Sequence, residues 1–177
     1  MYKLHTQRLL LRPLRPSDTD EINKNIQSEA VLEHMRILSY PYDISTTPPF
    51  IRRAIRDFRN GSQYVFAVCN KSSDTFMGII ALSHIDLHRK CAEVYYWLGQ
   101  DFWHKAYMPE AINAVRDFAF NTLNLQHILA RVSSANFASI KLLEKSGFIL
   151  ERILPDARNK YGKKYDELCY AMRRNKK

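Results

Sequence analysis

No apolar run in this chain approaches the ~20 residues needed to cross a bilayer; the longest, such as Gly78 to Leu82, are a few residues, and no membrane association is expected. The opening residues Met1-Tyr2-Lys3-Leu4-His5 carry no apolar leader or small-residue cleavage site, so the chain is expected to stay in the cytoplasm. Cysteine is scarce. Cys69, Cys91 and Cys169 sit singly in apolar stretches, an odd total with no C-x-x-C spacing, and read as reduced core residues. The six histidines are scattered without the close spacing a tetrahedral site requires, so no metal is expected. Repeats and low-complexity linkers are absent too, which predicts one continuous domain over residues 1–177.

What the chain does have is 46% hydrophobic and 12% aromatic residues, enough for one substantial core, and an excess of cations. Against 18 Asp and Glu stand 27 Lys and Arg, a formal net charge of +9. Much of it is clustered: Arg8, Arg12, Arg15; Arg52, Arg53, Arg56, Arg59; and Arg173, Arg174, Lys176, Lys177. The plain reading is solvated faces with a basic tail; the sharper ones are a phosphate-bearing ligand or a ribosome-associated partner. Recognition-helix and RNA-binding signatures are missing, so no direct nucleic-acid partner is expected.

Hydrophobic patterning predicts a strand over Leu9 to Leu14, then a helix capped at Ser17-Asp18 and running through Ile22 and Ile26. A short helix from Ser28 to about Met35 precedes an irregular stretch from Arg36 to Thr47. Thr47-Pro48-Pro49 opens a helix carrying Phe50, Ile51, Ala54, Ile55 and Phe58, which Asn60-Gly61 stops. Three strands follow as an antiparallel meander: Gln63 to Cys69, Phe76 to Ile85 and Cys91 to Leu98. The remainder alternates: helix Pro109 to Asn121, strand His127 to Val132, helix Asn136 to Ser146 closed by Gly147, and strands Phe148 to Leu154 and Tyr165 to Met172. A meander followed by such alternation predicts an α+β fold with a mixed, mostly antiparallel sheet of six to seven strands flanked by helices.

The loop from Leu98 to Met108 joins a strand to a helix whose first position suits Pro109. Met108 offers no side-chain oxygen as a cap, which leaves the backbone N–H groups of the first turn to an anion such as a pyrophosphate. Around this loop, Trp103-His104-Lys105-Ala106-Tyr107-Met108 followed by Glu110-Ala111 resembles the coenzyme-binding motif of the GNAT N-acetyltransferases. The nearest branch is that of the ribosomal-protein-alanine N-acetyltransferases, where Trp-Gly-Lys-Gly-Tyr-Ala-Thr-Glu-Ala is a frequent form. Thr6 to Leu14 with Ser17-Asp18, Cys91 to Leu98, Asn136 to Phe148, and Gly162, Asp166 and Tyr170 are similar to further elements of that branch, in order along nearly the whole chain. The resemblance implies the GNAT fold, acetyl-CoA as cosubstrate, and contacts to it from Trp97, Leu98, His104, Lys105, Ala106, Tyr107, Met108 and Asn136. The loop departs from the branch form: His104 and Ala106 stand where it has glycines, which permit close approach and positive φ, and Pro109 stands where a threonine or serine often helps hold phosphate.

Alternation puts Cys91, Glu93, Tyr95 and Trp97 on one strand face and Ala92, Val94, Tyr96 and Leu98 on the other. Glu93 is expected among aromatic and sulfur neighbours, a setting that raises a carboxyl pKa and suits a general base. A simple hairpin closed at Leu87 to Lys90 would set His84 opposite Glu93, where an ion pair is the structural alternative. In the resembling family, a glutamate at this position deprotonates the incoming amine directly or through water. The family also implies that Ser139 lies near the coenzyme sulfur and can protonate the leaving thiolate, whereas Asn136 also reads simply as a helix cap. Tyr165 and Tyr170 are alternative acids or packing aromatics.

The implied reaction is direct transfer in a ternary complex, with backbone N–H groups near Leu98 polarising the thioester carbonyl. Deprotonation at pH 7 costs ~1 kcal/mol for an α-amine of pKa near 7.8 and ~4.6 kcal/mol for a lysine near 10.4, which favours a protein N-terminus, including that of a ribosomal protein, as acceptor. The alternatives are a small amine (polyamine, amino acid or aminoglycoside), with the segments Ile37 to Thr47 and Pro155 to Lys164 as groove elements, and a non-catalytic acyl-CoA-binding protein. Either a monomer or a homodimer is compatible with the sequence.

Overall fold

The computed structural model describes residues 1–174, so Lys176 and Lys177 of the basic tail lie outside the described residues. Among the described residues, eight strands form one sheet in the order β1-β2-β3-β4-β5-β6-β8-β7. These are β1 (Leu4–His5), β2 (Leu9–Pro13), β3 (Tyr64–Asn70), β4 (Phe76–Asp86), β5 (Cys91–Leu98), β6 (His127–Ser133), β7 (Ile149–Lys160) and β8 (Lys163–Arg173). The strand beyond the expected seven is β1, whose two residues are too short to leave an alternation in the sequence. The helices are α1 (Thr19–Ile26), α2 (Glu29–Glu33), α3 (Thr47–Asn60), α4 (Tyr107–Asp117) and α5 (Phe137–Lys145). Gly61 and Gly147 follow α3 and α5 at φ of 75° and 91°, the left-handed position that ends a helix at low cost with glycine.

Two apolar layers enclose the sheet. On one face Met108, Ala111, Ile112 and Val115 of α4 and Leu143 of α5 pack against Ala92, Val94 and Leu98 of β5, with Tyr96 beside them. On the other, Ile22 of α1 and Ile51 and Ala54 of α3 pack against Val65, Ala67, Ile79 and Ala81, with Tyr95 and Trp97 beside them. The even and odd residues of β5 thus face different layers, as its alternation predicts.

Several expectations are corrected. Pro109 is the third residue of α4, since the helix begins at Tyr107. A proline is tolerated there because first-turn N–H groups have no intrahelical acceptor to lose. Asp18 precedes α1 without capping it; its carboxylate instead takes Arg12 Nη1 at 2.9 Å, Arg12 Nη2 at 2.8 Å and the Arg15 N–H at 2.7 Å. Arg12 is therefore buried rather than part of a solvated face, and its guanidinium also meets Asp74 at 2.8 Å. The register of β4 and β5 sets Ser83, not His84, opposite Glu93. Pairing resumes at Asp86 and Cys91 after a bulge in which His84 takes φ of 49°. An extra residue in one strand shifts everything beyond it by one place, which no simple hairpin count foresees.

Candidate active site

Among the described residues, one pair of strands in the sheet runs parallel, β5 with β6. Strands β5 and β6 pair only at Cys91 with His127, Ala92 with Ile128 and Glu93 with Leu129. Beyond Glu93 they part, so Val94 to Leu98 have no strand partner on that side and their free backbone groups can meet a ligand. Glu93 stands where the fork opens. A cleft of about 1130 Å³ runs through it, lined on the α4–α5 side by Tyr96, Asn136, Ser139 and Leu143 and on the α1–α3 side by Glu93, Tyr95, Trp97 and Phe50.

Glu93 is mostly buried, and beside the aromatic groups of its wall it has ionic neighbours that the sequence reading did not foresee. Its Oε2 lies 3.6 Å from Arg131 Nε and 3.8 Å from His84 Nδ1. The bulge explains the second contact: the left-handed turn at His84 swings its exposed ring back toward Glu93 although the two residues are not paired. Arg131 also reaches Glu167 Oε1 at 3.5 Å, and that buried carboxylate takes Arg158 Nε at 2.7 Å.

On the opposite face, the Tyr96 hydroxyl lies 2.7 Å from Ser139 Oγ. Burial pushes the Tyr96 phenol up to about 12 despite the Ser139 hydrogen bond, so it holds its proton at any working pH. Asn136 caps α5, its Oδ1 accepting the Ser139 N–H at 3.0 Å, which fixes the turn that presents Ser139. Tyr170 donates to Glu144 Oε1 at 2.9 Å, and Tyr165 is absent from the cleft lining.

The loop before α4 lies outside this cleft. His104 and Ala106 both adopt positive φ, 60° and 57°, the conformation that glycines would take without strain. Ala106 precedes α4 with no side-chain cap, and Pro109 has no N–H, so the Tyr107 and Met108 N–H groups stay open to an anion. Arg8 holds the strained loop: Nη1 donates to the Lys105 carbonyl at 2.9 Å, Nη2 to the Ala106 carbonyl at 3.1 Å, and Cζ lies 4.7 Å from the Tyr107 ring centroid. Glu110 anchors the clamp, accepting Arg8 Nε at 2.7 Å, the Arg8 N–H at 2.8 Å and the Thr6 hydroxyl. Partial burial pushes the Glu110 carboxyl up, but the hydrogen bonds from Thr6 and Arg8 outweigh it and hold it below the usual range. Trp103 Nε1 donates to the Leu98 carbonyl at 2.9 Å, tying the loop to the end of β5.

Of the residues expected at the site, Glu93, Trp97, Asn136 and Ser139 share the cleft, while His104 to Met108 form a separate turn at the start of α4 and Leu98, buried, ends the strand joining the two regions. Sequence reasoning missed Tyr96, Arg131 and Arg8. The alternation of β5 carries a signal for Tyr96, on the face opposite Glu93; the pairing with Ser139 depends on how α5 approaches.

The family profile for the acetyltransferase (GNAT) domain matches residues 8–149. The chain belongs to the GNAT family. A curated relative, described as uncharacterized N-acetyltransferase p20 of Bacillus licheniformis, is 30% identical over 172 residues, 97% of this chain and 96% of its own. Among solved structures, the ribosomal L7/L12 alpha-N-protein acetyltransferase RimL in complex with coenzyme A superposes with a TM-score of 0.89 at 17% identity, covering 97% of this chain and 98% of its own. A spermidine N-acetyltransferase SpeG chimera from Vibrio cholerae and hSSAT superposes at a TM-score of 0.81 with 22% identity, covering 93% of this chain and 95% of its own. This GNAT protein is an N-acetyltransferase.

Proposed function

We propose that this N-acetyltransferase acts on a protein N-terminal α-amine, which attacks the thioester directly while both substrates are bound. The observation that carries the mechanism is the division of labour across β5: Glu93 lines the cleft from the α1–α3 side, and the Tyr96–Ser139 pair from the α4–α5 side. A base and an acid thus flank one opening in the sheet, at the ends of the path a transferred acyl group must cross.

Acetyl-CoA supplies an activated acyl group on a thioester. The first-turn N–H groups of α4 fit its pyrophosphate, because the left-handed backbone at His104 and Ala106 and the lack of a side-chain cap leave them open. The unpaired edge of β5 from Val94 to Leu98 orients the pantetheine arm and donates N–H groups to the thioester carbonyl, so Trp97 and Leu98 act through their backbones. Glu93 takes a proton from the amine, directly or through one water, as nitrogen forms its bond to the carbonyl carbon. The carbon–sulfur bond breaks, and Ser139, backed by Tyr96, delivers a proton to sulfur. The products are an amide and a thiol.

An α-amine suits a site with a single carboxylate base, since ~1 kcal/mol deprotonates it at pH 7 against ~4.6 kcal/mol for a lysine. The structural likeness to RimL, named for a ribosomal α-N-terminus, supports this reading. The test is thiol release from acetyl-CoA across α-amine peptides, lysine peptides and spermidine, with Glu93→Gln beside the wild type. Expected is turnover on α-amine peptides that falls about 100-fold or more in Glu93→Gln. Wild-type activity in that variant would remove Glu93 as the base, and turnover confined to spermidine would refute the acceptor class.

A further inference from the structure

The acceptor side of the cleft is short of negative charge. Its lining includes four arginines, Arg36, Arg53, Arg131 and Arg158, against the two carboxylates Asp57 and Glu93. Behind the lining, buried Glu167 contacts three of those arginines: Arg158 at 2.7 Å, Arg131 at 3.5 Å and Arg36 at 3.9 Å. Arg131 is shared with Glu93. Three guanidiniums therefore meet two carboxylates, and the least committed is Arg36, whose contact is longest and whose side chain is 54% exposed. On the facing wall, Arg56 takes Asp57 at 3.0 Å, which leaves exposed Arg53 without an ion pair among the described residues. Beyond Arg36 the cleft shares His34, Met35, Arg36 and Arg158 with a side cavity of about 130 Å³ that also presents Lys163. The segments expected as groove elements meet here: Lys160 Nζ donates to the Met35 and Leu38 carbonyls, and the Tyr40 N–H donates to Tyr161 Oη at 3.0 Å.

We infer that the acceptor is an acidic peptide N-terminus, whose α-amine lies at Glu93 and whose carboxylates at the second or third residue are bound by Arg36 and Arg53. This rests on the α-amine reading above and narrows it. Arg36 is reached from Glu93 through Arg131 and Glu167 in contacts that are each under 4 Å. An extended peptide advances roughly 3.3 Å per residue, so its second and third residues carry the chain roughly 7–10 Å from the amine, along that wall. Guanidinium is also the cation best shaped to take a carboxylate through two parallel bonds. A polyamine would bring further positive charge to a wall that is already positive.

The experiment compares kcat/KM for three peptides that share an N-terminal alanine and differ at positions two and three, Asp-Asp, Gln-Gln or Lys-Lys, with spermidine as a fourth acceptor. Expected for the wild type is at least a tenfold preference for Asp-Asp over Gln-Gln, with Lys-Lys below both, and a smaller preference at 0.5 M salt as screening sets in. Arg36→Glu is expected to bring the acidic-to-basic ratio to unity or invert it. Because Arg36 touches Glu167, Arg53→Glu is the second variant, its side chain being exposed on α3, and the same fall in ratio is expected. Equal kcat/KM for the acidic and uncharged peptides overturns the inference and leaves α-amine transfer standing. So does an acidic preference that survives in a folded charge-reversal variant. Thiol release with spermidine and with no peptide overturns the α-amine reading itself, and the inference with it.

Discussion

Removing the guanidinium of Arg8 tests whether a strained loop can serve in place of a glycine-rich one. The left-handed backbone at His104 and Ala106 costs ~1 kcal/mol at each non-glycine residue, about 2 kcal/mol in all. Opposing it are the two bonds from Arg8 to the Lys105 and Ala106 carbonyls. The Arg8 side chain is 43% exposed, so each bond is taken at about 0.5–1 kcal/mol, below the range for buried charged donors. Their sum of about 1–2 kcal/mol is comparable with the strain, so Arg8→Ala shifts the loop away from its binding geometry. At ~1.4 kcal/mol per tenfold, the expected result is a Kd for CoA about 5–30-fold weaker by calorimetric titration. The KM for acetyl-CoA should rise in parallel while kcat stays within about twofold, because Arg8 lies outside the cleft. Adding His104→Gly and Ala106→Gly to Arg8→Ala should recover most of the affinity, since glycine takes positive φ without strain. A Kd unchanged by Arg8→Ala, or no recovery with the glycines, would refute the reasoning.

Tyr96→Phe and Ser139→Ala should each lower kcat about 100-fold or more, and the double variant should be little worse than the poorer single if the two hydroxyls relay one proton; multiplicative losses in steady-state rates would separate them. Gly78→Ala would put a methyl 2.2 Å from the Trp97 carbonyl and 2.8 Å from Leu98 Cα, both backbone, so a loss of about 1–3 kcal/mol, or several degrees of Tm, is expected by calorimetry. For acid stability, Asp74 and Glu110 are raised by partial burial but more strongly lowered by arginine partners, joined at Glu110 by Thr6. Their folded-state pKa values thus lie below the unfolded ones. The stability they add is present above about pH 4 and is lost as pH falls through the folded-state values. Melting scans from pH 7 to pH 2.5 should show Asp74→Asn flattening that decline; an unchanged decline counts against the assignment.

The parts of the site legible in the sequence were those governed by a short period or a local cap. A two-residue alternation separates Glu93 from Tyr96, and the spacing of Asn136 and Ser139 marks the start of α5. The parts that escaped depend on residues distant in the chain. One inserted residue near His84 displaced the β4–β5 register, and the cations around Glu93 come from the bulge and from β6. The fate of the loop at His104 and Ala106 was decided far away in the chain, by Arg8, which Glu110 just beyond the loop holds in place. Propensity alone opposes left-handed backbone at those residues, and only tertiary contacts enforce it.

The parting of β5 and β6 makes the sheet a partition that opens beyond Glu93. On the proposed mechanism, coenzyme and acceptor approach that opening from different sides, so each product can leave without waiting for the other. Product inhibition should follow, with CoA competing against acetyl-CoA alone. The same partition separates two engineering problems: on the proposed reading, exchanging the segments 37–47 and 155–164 would redirect acceptor choice from one side, while the turn before α4 and its Arg8 clamp remain untouched.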